Sequence, residues 1–522
     1  MGPLRVGLLL NGPVVPAWVA WIVRTILAHP DLTLALVVYS ATDDARVPSL
    51  FGLYERLDRR VFAVGPDALA RVDASAILAG VPRVAPDDVA ADDLDVLLHL
   101  GGPRPTGPLV DAPRYGVWSY RHGHAAGTAV PLFAEHAAGV PDTETALEIL
   151  DHDGGRVIYR STGVTDVVSL NRSRVPAYWK AARFALRRLE DLANGRWDAG
   201  AAEPSRAAAP PAPPPTATQT LRHMATVAGR VAGRKLRASA FEHQWFLGLR
   251  RRTGDRLPQD DPTPWRVIVP PRDRSYADPF VVRHGGETFL FFEVLVHRRP
   301  RGELAVARLD ADGDLADIEP ILPVAHHSSY PYVFADGGTT YLIPESGEAG
   351  RVDLFAATDF PVGWRHVATL LDGVNAVDAT VHRHDGRYWM WVSMAVPGGR
   401  LSEETFLYFS DCLDGGWTPH PANPVVSDTR RARPAGRPFM HRGQLIRPSM
   451  NCSGRYGRQL IFNAVERLDP DGYQERPAGS LGPEWAGPWN LAAHTYTFDG
   501  EWEAIDGLQT VSRLGRRASA TR

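Results

Sequence analysis

The stretch Asp273-Arg274-Ser275-Tyr276-Ala277-Asp278-Pro279-Phe280-Val281-Val282 decides how the chain is read, because its pattern returns four times before the C-terminus. A polar residue stands just before an apolar strand, a Gly-containing turn follows, and a strand rich in aromatics comes back. The first copy runs from Asp278 through Gly285-Gly286 to Phe289-Leu290-Phe291-Phe292-Glu293. The second runs from Tyr330-Pro331-Tyr332 through Gly337-Gly338 to Tyr341-Leu342-Ile343-Pro344-Glu345, and the third from Asp378 through Asp385-Gly386 to Tyr388-Trp389-Met390-Trp391. A fourth, less regular, is read from Arg447-Pro448 through Tyr456-Gly457 to Leu460-Ile461-Phe462, and a short fifth from His494-Thr495-Tyr496 through Asp499-Gly500 to Trp502. Gly-Gly and Asp-Gly tolerate the positive φ of tight hairpins, so each copy predicts a hairpin.

Recurrence at roughly 45 to 70 residues is the period of propeller blades with about four strands each. Residues 257–512 are therefore expected to form a five-bladed β-propeller, with Trp265–Val269 closing the last blade. A β-sandwich would show hairpins but no fixed polar residue at the head of each repeat. First strands of blades line the central channel, so Asp278 and Asp378 should share one axial pocket.

The remainder bounds the other domains. A chain of 522 residues exceeds one hydrophobic core. Its net charge of −3 gives no basic footprint, and nucleic acid is excluded as a general partner. Two cysteines, Cys412 and Cys452, argue against a disulfide framework or a cysteine metal site. Residues 1–200 alternate short apolar runs with amphipathic ones, which predicts a mostly parallel sheet covered by helices. No Gly-x-Gly-x-x-Gly follows the first run, so a dinucleotide site is not expected. The Leu8 region, interrupted by Asn11, Pro13 and Pro16, reads as a buried strand and turn rather than a signal peptide. With no run of 18 apolar residues, the expected location is the cytoplasm. Residues 201–220, with Pro210-Pro211-Ala212-Pro213-Pro214-Pro215, read as a linker. Residues 221–256 carry nine Lys or Arg against two acids and read as a basic helical connector, with peripheral contact to an anionic membrane as a second expectation.

Two resemblances add to this. Tyr115-Gly116-Val117-Trp118-Ser119-Tyr120-Arg121-His122, followed by Asp151-His152-Asp153-Gly154-Gly155, resembles the formyltransferase fold of methionyl-tRNA and amino-sugar formyltransferases. That likeness implies formyl-tetrahydrofolate as donor, oriented by an Asn, a His and an Asp. Ser119 (or Tyr120), His122 and Asp153 fall at those positions here, and because a Ser lacks the carboxamide, folate is expected to bind weakly or not at all. No other cofactor and no metal is expected. Residues 265–507 resemble the N-terminal domain of plant glucosamine inositolphosphorylceramide transferase and its bacterial relatives. The strings that carry this likeness are Tyr276-Ala277-Asp278-Pro279-Phe280, Leu342-Ile343-Pro344-Glu345, Val377-Asp378-Ala379-Thr380, Arg433-Pro434-Ala435-Gly436-Arg437 and His494-Thr495-Tyr496. Asn451 is a departure, standing where those relatives usually have Asp.

The resemblance places the domain among arabinanase- and xylosidase-like propellers, where the first-blade Asp, here Asp278, is the base and the third-blade Asp, here Asp378, tunes the acid. The acid is a fourth-blade Glu, and none is found; Glu345 or Glu293 could substitute, unless paired to Arg272, Arg274 or Arg437. Inverting hydrolysis needs a base and an acid about 6.5 to 9.5 Å apart. Arg274, Tyr332, Arg437, Arg447 and Asn451 are the expected substrate-binding residues, and guanidinium forks suit an anionic ligand such as a sugar phosphate. Three functions follow: a carbohydrate-modifying transferase of surface glycan or glycolipid assembly acting on a sugar, sugar nucleotide or glycolipid; an inverting glycoside hydrolase using Asp278 and Asp378; or a non-catalytic glycan-binding protein.

Overall fold

Gly285 and Gly286 take φ of 60° and 88°, Gly337 and Gly338 55° and 81°, and Asp385 and Gly386 48° and 80°. Both residues of each turn lie in the left-handed region, so the twist of these two-residue loops matches the strands they join. In the computed structural model, which describes residues 2–40, 49–90, 94–123, 130–151, 155–197, 203–205, 213–299 and 301–513, these turns are the inner hairpins of blades one, two and three.

Blade one is Arg274–His284, Glu287–Val296, Gly302–Leu309 and Leu315–Ile321, and blade two is Ser329–Asp336, Thr339–Glu345, Arg351–Asp359 and Gly363–Asp372. Blade three is Ala376–His384, Arg387–Met394, Thr405–Ser410 and Thr418–Pro419. In blade four the inner edge is split into Arg433–Pro434 and Phe439–His441, both paired to Gln444–Asn451, with Gln459–Asp469 and Gly472–Leu481 outside. Blade five joins both ends of the domain: Tyr496–Phe498 and Trp502–Ser512 pair onward to Phe241–Arg251 and Arg266–Ile268. Aromatic and aliphatic side chains of adjacent blades pack between the sheets, with Phe280, Phe291, Leu342 and Met390 fully buried.

Two boundaries differ from the sequence reading. The strand Phe241–Arg251 pairs with Trp502–Ser512 over its whole length, so the chain enters the propeller at Phe241 rather than at 257, and the connector helix is Ala217–Ala240. Trp245-Phe246-Leu247-Gly248-Leu249 is apolar without a two-residue alternation that would mark a strand. The head of blade four is Arg433, not Arg447, which lies on the second strand. The inner hairpin there turns on Arg442-Gly443, with φ of 47° and 78°.

The chain divides into two compact units, Met1–Ala232 with Val396–Gly399, and Gly233–Ala395 with Arg400–Arg522. The first unit holds an eight-stranded mixed sheet. Val117–His122, Val96–His99, Leu4–Leu10, Leu32–Tyr39 and Arg83–Val84 run parallel, and Asp142–Leu150, Arg156–Val164 and Glu203–Pro204 continue antiparallel. Leu8 and Leu10 face a core shared with helices Ala17–Ala28 and Leu170–Ala193, while Leu9 faces a second core with Leu36, Leu97 and Leu109. Burial on both faces explains why this strand is apolar throughout. No helix among the described residues is long and apolar enough to cross a membrane.

Candidate functional site

The inner strands of blades one to three share a local distortion at their heads. Pairing skips between Ala277 and Phe280, between Ser329 and Tyr332, and between Val377 and Thr380. At each bulge one residue is forced to positive φ: Asp278 at 52°, Tyr330 at 44° and Asp378 at 56°. Such conformations cost on the order of 1–3 kcal/mol each for non-glycine residues and collect at functional sites. Pro279 and Pro331 follow the first two, where a missing N–H leaves no ladder donor unpaired.

Asp278 is buried. Its Oδ1 accepts the Thr495 hydroxyl at 2.7 Å, its Oδ2 accepts the Tyr330 N–H at 3.2 Å, and its own N–H donates to Asp506 Oδ2 at 3.1 Å. The His494 imidazole lies 3.7 Å from Asp278 Oδ1, and its Nδ1 bonds Asp506. Burial pushes the His494 pKa down, but the negative charges of Asp506 and Asp278 outweigh it and raise the value to about 9. The ring is thus a cation at neutral pH, with Trp245 stacked 4.0 Å away.

Asp378 is held by Arg433, whose Nε and Nη2 donate at 2.5 and 3.3 Å. Burial, together with the charges of Asp278 and Glu345, lifts the Asp378 pKa to about 6 against the pull of Arg433. Glu293 sits across the strand pair from Ala277, with its Oε1 3.6 Å from His327 Nε2. Burial first, then the charge of Asp278, raises its pKa well above the ordinary 4.5. Gly302 leaves the room it occupies: a Cβ there would stand 2.1 Å from Glu293 Oε1. Glu345 accepts from Ser329 Oγ at 3.0 Å and from the Gly347 N–H at 2.6 Å, and takes no arginine partner among the described residues. The Tyr456 ring, 43% exposed, lies 5.0 Å from the Arg433 guanidinium and edge-on to His494 at 5.5 Å. It is the open aromatic surface beside the carboxylates.

This pocket is acidic rather than arginine-lined, which revises several expected ligand contacts. Arg447 is 1% exposed and donates to Glu475 at 2.7 Å through both Nε and Nη2, and to the Arg431 carbonyl. Its charge is spent inside blade four because it belongs to the second strand. Arg274 donates to its neighbour Asp273 at 3.1 Å. Asn451 accepts the Ser453 N–H at 2.8 Å and lines a separate cavity of about 660 Å³ with Asp428 and Arg430. Tyr332 and Arg437 line another cavity, at the opposite ends of the inner strands. Between the two mouths, the Tyr330 hydroxyl pairs with Thr380 at 2.9 Å and accepts the Gly436 N–H at 2.8 Å. A Cβ at Gly436, where φ is 127°, would stand 1.9 Å from the Tyr496 carbonyl oxygen, so the axis is packed shut there.

Residues 272–481 match a known family. Its description is "Glucosamine inositolphosphorylceramide transferase 1, N-terminal". The Glucosamine inositolphosphorylceramide transferase 1 of Oryza sativa subsp. japonica is 34% identical over 214 residues, covering 40% of this chain and 28% of that protein. Its Arabidopsis thaliana namesake is 33% identical over 205 residues, covering 38% and 26%. This chain therefore spans only about a quarter of the length of those relatives. Among solved structures, an exo-beta-1,3-galactanase from Clostridium thermocellum is 17% identical with a TM-score of 0.35, covering 40% of this chain and 52% of that one. The catalytic domain of a Coprinopsis cinerea GH62 alpha-L-arabinofuranosidase is 14% identical with a TM-score of 0.35, covering 53% and 99%.

The residues singled out by sequence missed Arg433, His494, Asp506 and Tyr456. The Arg433-Pro434 pair repeats the polar-Pro step of Asp278-Pro279 and Tyr330-Pro331, a signal it shares with Arg447-Pro448.

In the amino-terminal unit, Ser119 Oγ pairs with His99 Nδ1 at 2.9 Å, and His99 Nε2 with the Gly102 carbonyl at 3.2 Å. His122 is packed 4.1 Å from Tyr178 and 6.0 Å from Trp18. Neither of its ring nitrogens has a partner among the described residues. Burial, then Arg174 and Arg121, lowers its pKa to about 3. Asp153 lies outside the described residues.

Proposed function

We propose that the propeller holds a glycosyl unit in the pocket headed by Asp278, as part of a carbohydrate-modifying transferase of surface glycan or glycolipid assembly. The observation that carries this is Arg433. A hydrolase of this architecture needs a carboxylic acid opposite its base, and the fourth head instead supplies a guanidinium clamped on Asp378. Asp278 keeps acceptor capacity toward a sugar hydroxyl, and the open face of Tyr456 suits the C–H face of a pyranose. The match of residues 272–481 to a family named for a transferase supports the same reading. We further propose a cytoplasmic location, with peripheral membrane contact through the basic helix.

Calorimetry of the full chain against neutral glycans and sugar nucleotides tests it. Binding that is lost in both Asp278→Asn and Tyr456→Ala is the expected result, and binding indifferent to both variants refutes it. Binding without turnover of any donor leaves a glycan-binding protein.

Glu293 favours a second reading. A buried carboxyl whose pKa is raised, set beside the Asp278 carboxyl, is an acid–base arrangement, and glycoside hydrolysis would use Glu293 in place of a fourth-blade acid. Release of the aglycone from chromogenic glycosides, lost in Glu293→Gln with binding retained, would decide for it.

A further inference from the structure

We infer that the opposite mouth of the propeller is a second ligand site, built for a phosphate ester carried on a small ring. The cavity there has a volume of about 280 Å³ and is walled by Tyr332, Phe334, His382, Arg383, Tyr388 and Arg437. That size is at the lower end of small-molecule sites, about 300 Å³. It suits a monosaccharide derivative.

Arg437 is the reason to assign an anion. Its side chain comes from blade four and is pinned across the axis, Nη2 donating to the Val333 carbonyl of blade two at 2.5 Å and Nη1 to the Phe498 carbonyl of blade five at 3.4 Å. Two carbonyls orient a guanidinium without neutralising it. No carboxylate among the described residues pairs with Arg437, and its buried Nε has no acceptor. A charge whose buried Nε is left without an acceptor is completed by an anion that brings its own acceptor oxygens. Burial, then His384 and Arg437, lowers the His382 pKa to about 4, so this ring adds no charge but keeps hydrogen-bonding capacity.

The second cation, Arg383, is 59% exposed at the rim and stands 4.0 Å from Asp336. Asp336 is already engaged by the Tyr388 hydroxyl at 2.7 Å. The mouth therefore holds two guanidiniums against one occupied carboxylate. A planar fork with free N–H groups pairs with phosphate oxygens better than an ammonium does. Phe334, packed between Tyr332 at 5.2 Å and Tyr341 at 5.7 Å, gives an aromatic wall for the body of the ligand.

The site is independent of the sugar pocket, because Tyr330 and Gly436 close the axis between them. The test is calorimetry of the full chain with glucose 6-phosphate, glucose and inorganic phosphate at low salt. Glucose 6-phosphate should bind, with inorganic phosphate competing and glucose alone not binding. Arg383→Ala, at an exposed position that leaves the fold intact, should weaken binding about tenfold, and added salt should weaken it further. Arg437→Lys, which keeps the charge and loses the fork, should weaken it more. No binding up to about 10 mM, equal binding of glucose, or parental affinity in both variants overturns the proposal. So does loss of binding in Asp278→Asn, which would place the ligand at the other mouth.

Discussion

Replacing Asp506 by Asn tests the electrostatics of the sugar pocket directly. Asp506 is fully buried and accepts from the backbone N–H groups of His494 at 2.9 Å, Thr495 at 3.0 Å and Asp278 at 3.1 Å, besides the His494 ring. Asn keeps an acceptor oxygen for those amides and deletes the charge. The folded His494 pKa of about 9 lies above the ordinary 6.5, so the folded protein holds a proton that the unfolded chain releases. That stabilisation is complete below about pH 6.5 and is lost as pH climbs through 9. At 1.36 kcal/mol per unit it amounts to about 3 kcal/mol. Asp506→Asn leaves His494 with Asp278 at 3.7 Å as its one carboxylate partner among the described residues, and should destabilise the propeller by about 3–5 kcal/mol near pH 6. Its deficit should shrink toward pH 9.5. The assay is urea unfolding of parent and variant at pH 6, 7.5 and 9, with the His494 ring titrated by NMR. Parallel pH dependence in the two proteins, or a parental imidazole titrating near 6.5, would refute the reasoning.

Arg433→Met should raise the Asp378 pKa beyond about 6. Because the folded value already exceeds the ordinary 3.8, the proton-linked stability falls as pH rises through that window, and the variant's deficit should widen between pH 4 and 8 in the same unfolding assay. Arg447→Met leaves Glu475 with Arg431 at 2.9 Å and the Tyr473 hydroxyl at 2.5 Å and should cost about 3–5 kcal/mol, while the folded variant binds glycans as the parent does in calorimetry. Gly436→Ala drives a methyl into the Tyr496 carbonyl and should lower stability by more than about 3 kcal/mol, measurable as a fall in Tm.

The blades were legible wherever the turn was Gly-Gly or Asp-Gly, since those dipeptides announce positive φ on their own. Blade four was misplaced because its inner hairpin turns on Arg442-Gly443 and its inner edge is broken between Pro434 and Phe439. The next polar-Pro step, Arg447-Pro448, then took the role of its head. The closing strand Phe241–Arg251 was lost for a different reason. Its partner Trp502–Ser512 is more than 250 residues away, and a strand completed only by ring closure carries no local turn to mark it. The amino-terminal sheet was readable from apolar runs buried on both faces, but His122 was not. A histidine at a strand end looks alike whether it faces solvent or, as here, the Tyr178 and Trp18 rings.

The arginines show most plainly where reading by residue type stops. Sequence presents Arg274, Arg437 and Arg447 as equivalent cations near one site and leaves Arg433 unassigned. Folding gives each a different state. Arg274 is answered by Asp273 beside it, Arg433 by Asp378 from blade three, and Arg447 by Glu475 two strands outward. Only the first of these pairings is local in the chain. The others depend on which strand faces which, and a one-strand error in blade four moved Arg447 into the pocket and left Arg433 out of it. Arg437 alone is oriented by carbonyls and takes no carboxylate among the described residues. A guanidinium attracts an anion from solution only when the fold has not already supplied one, so the anion site belongs where Arg437 points and not where the arginines cluster in sequence.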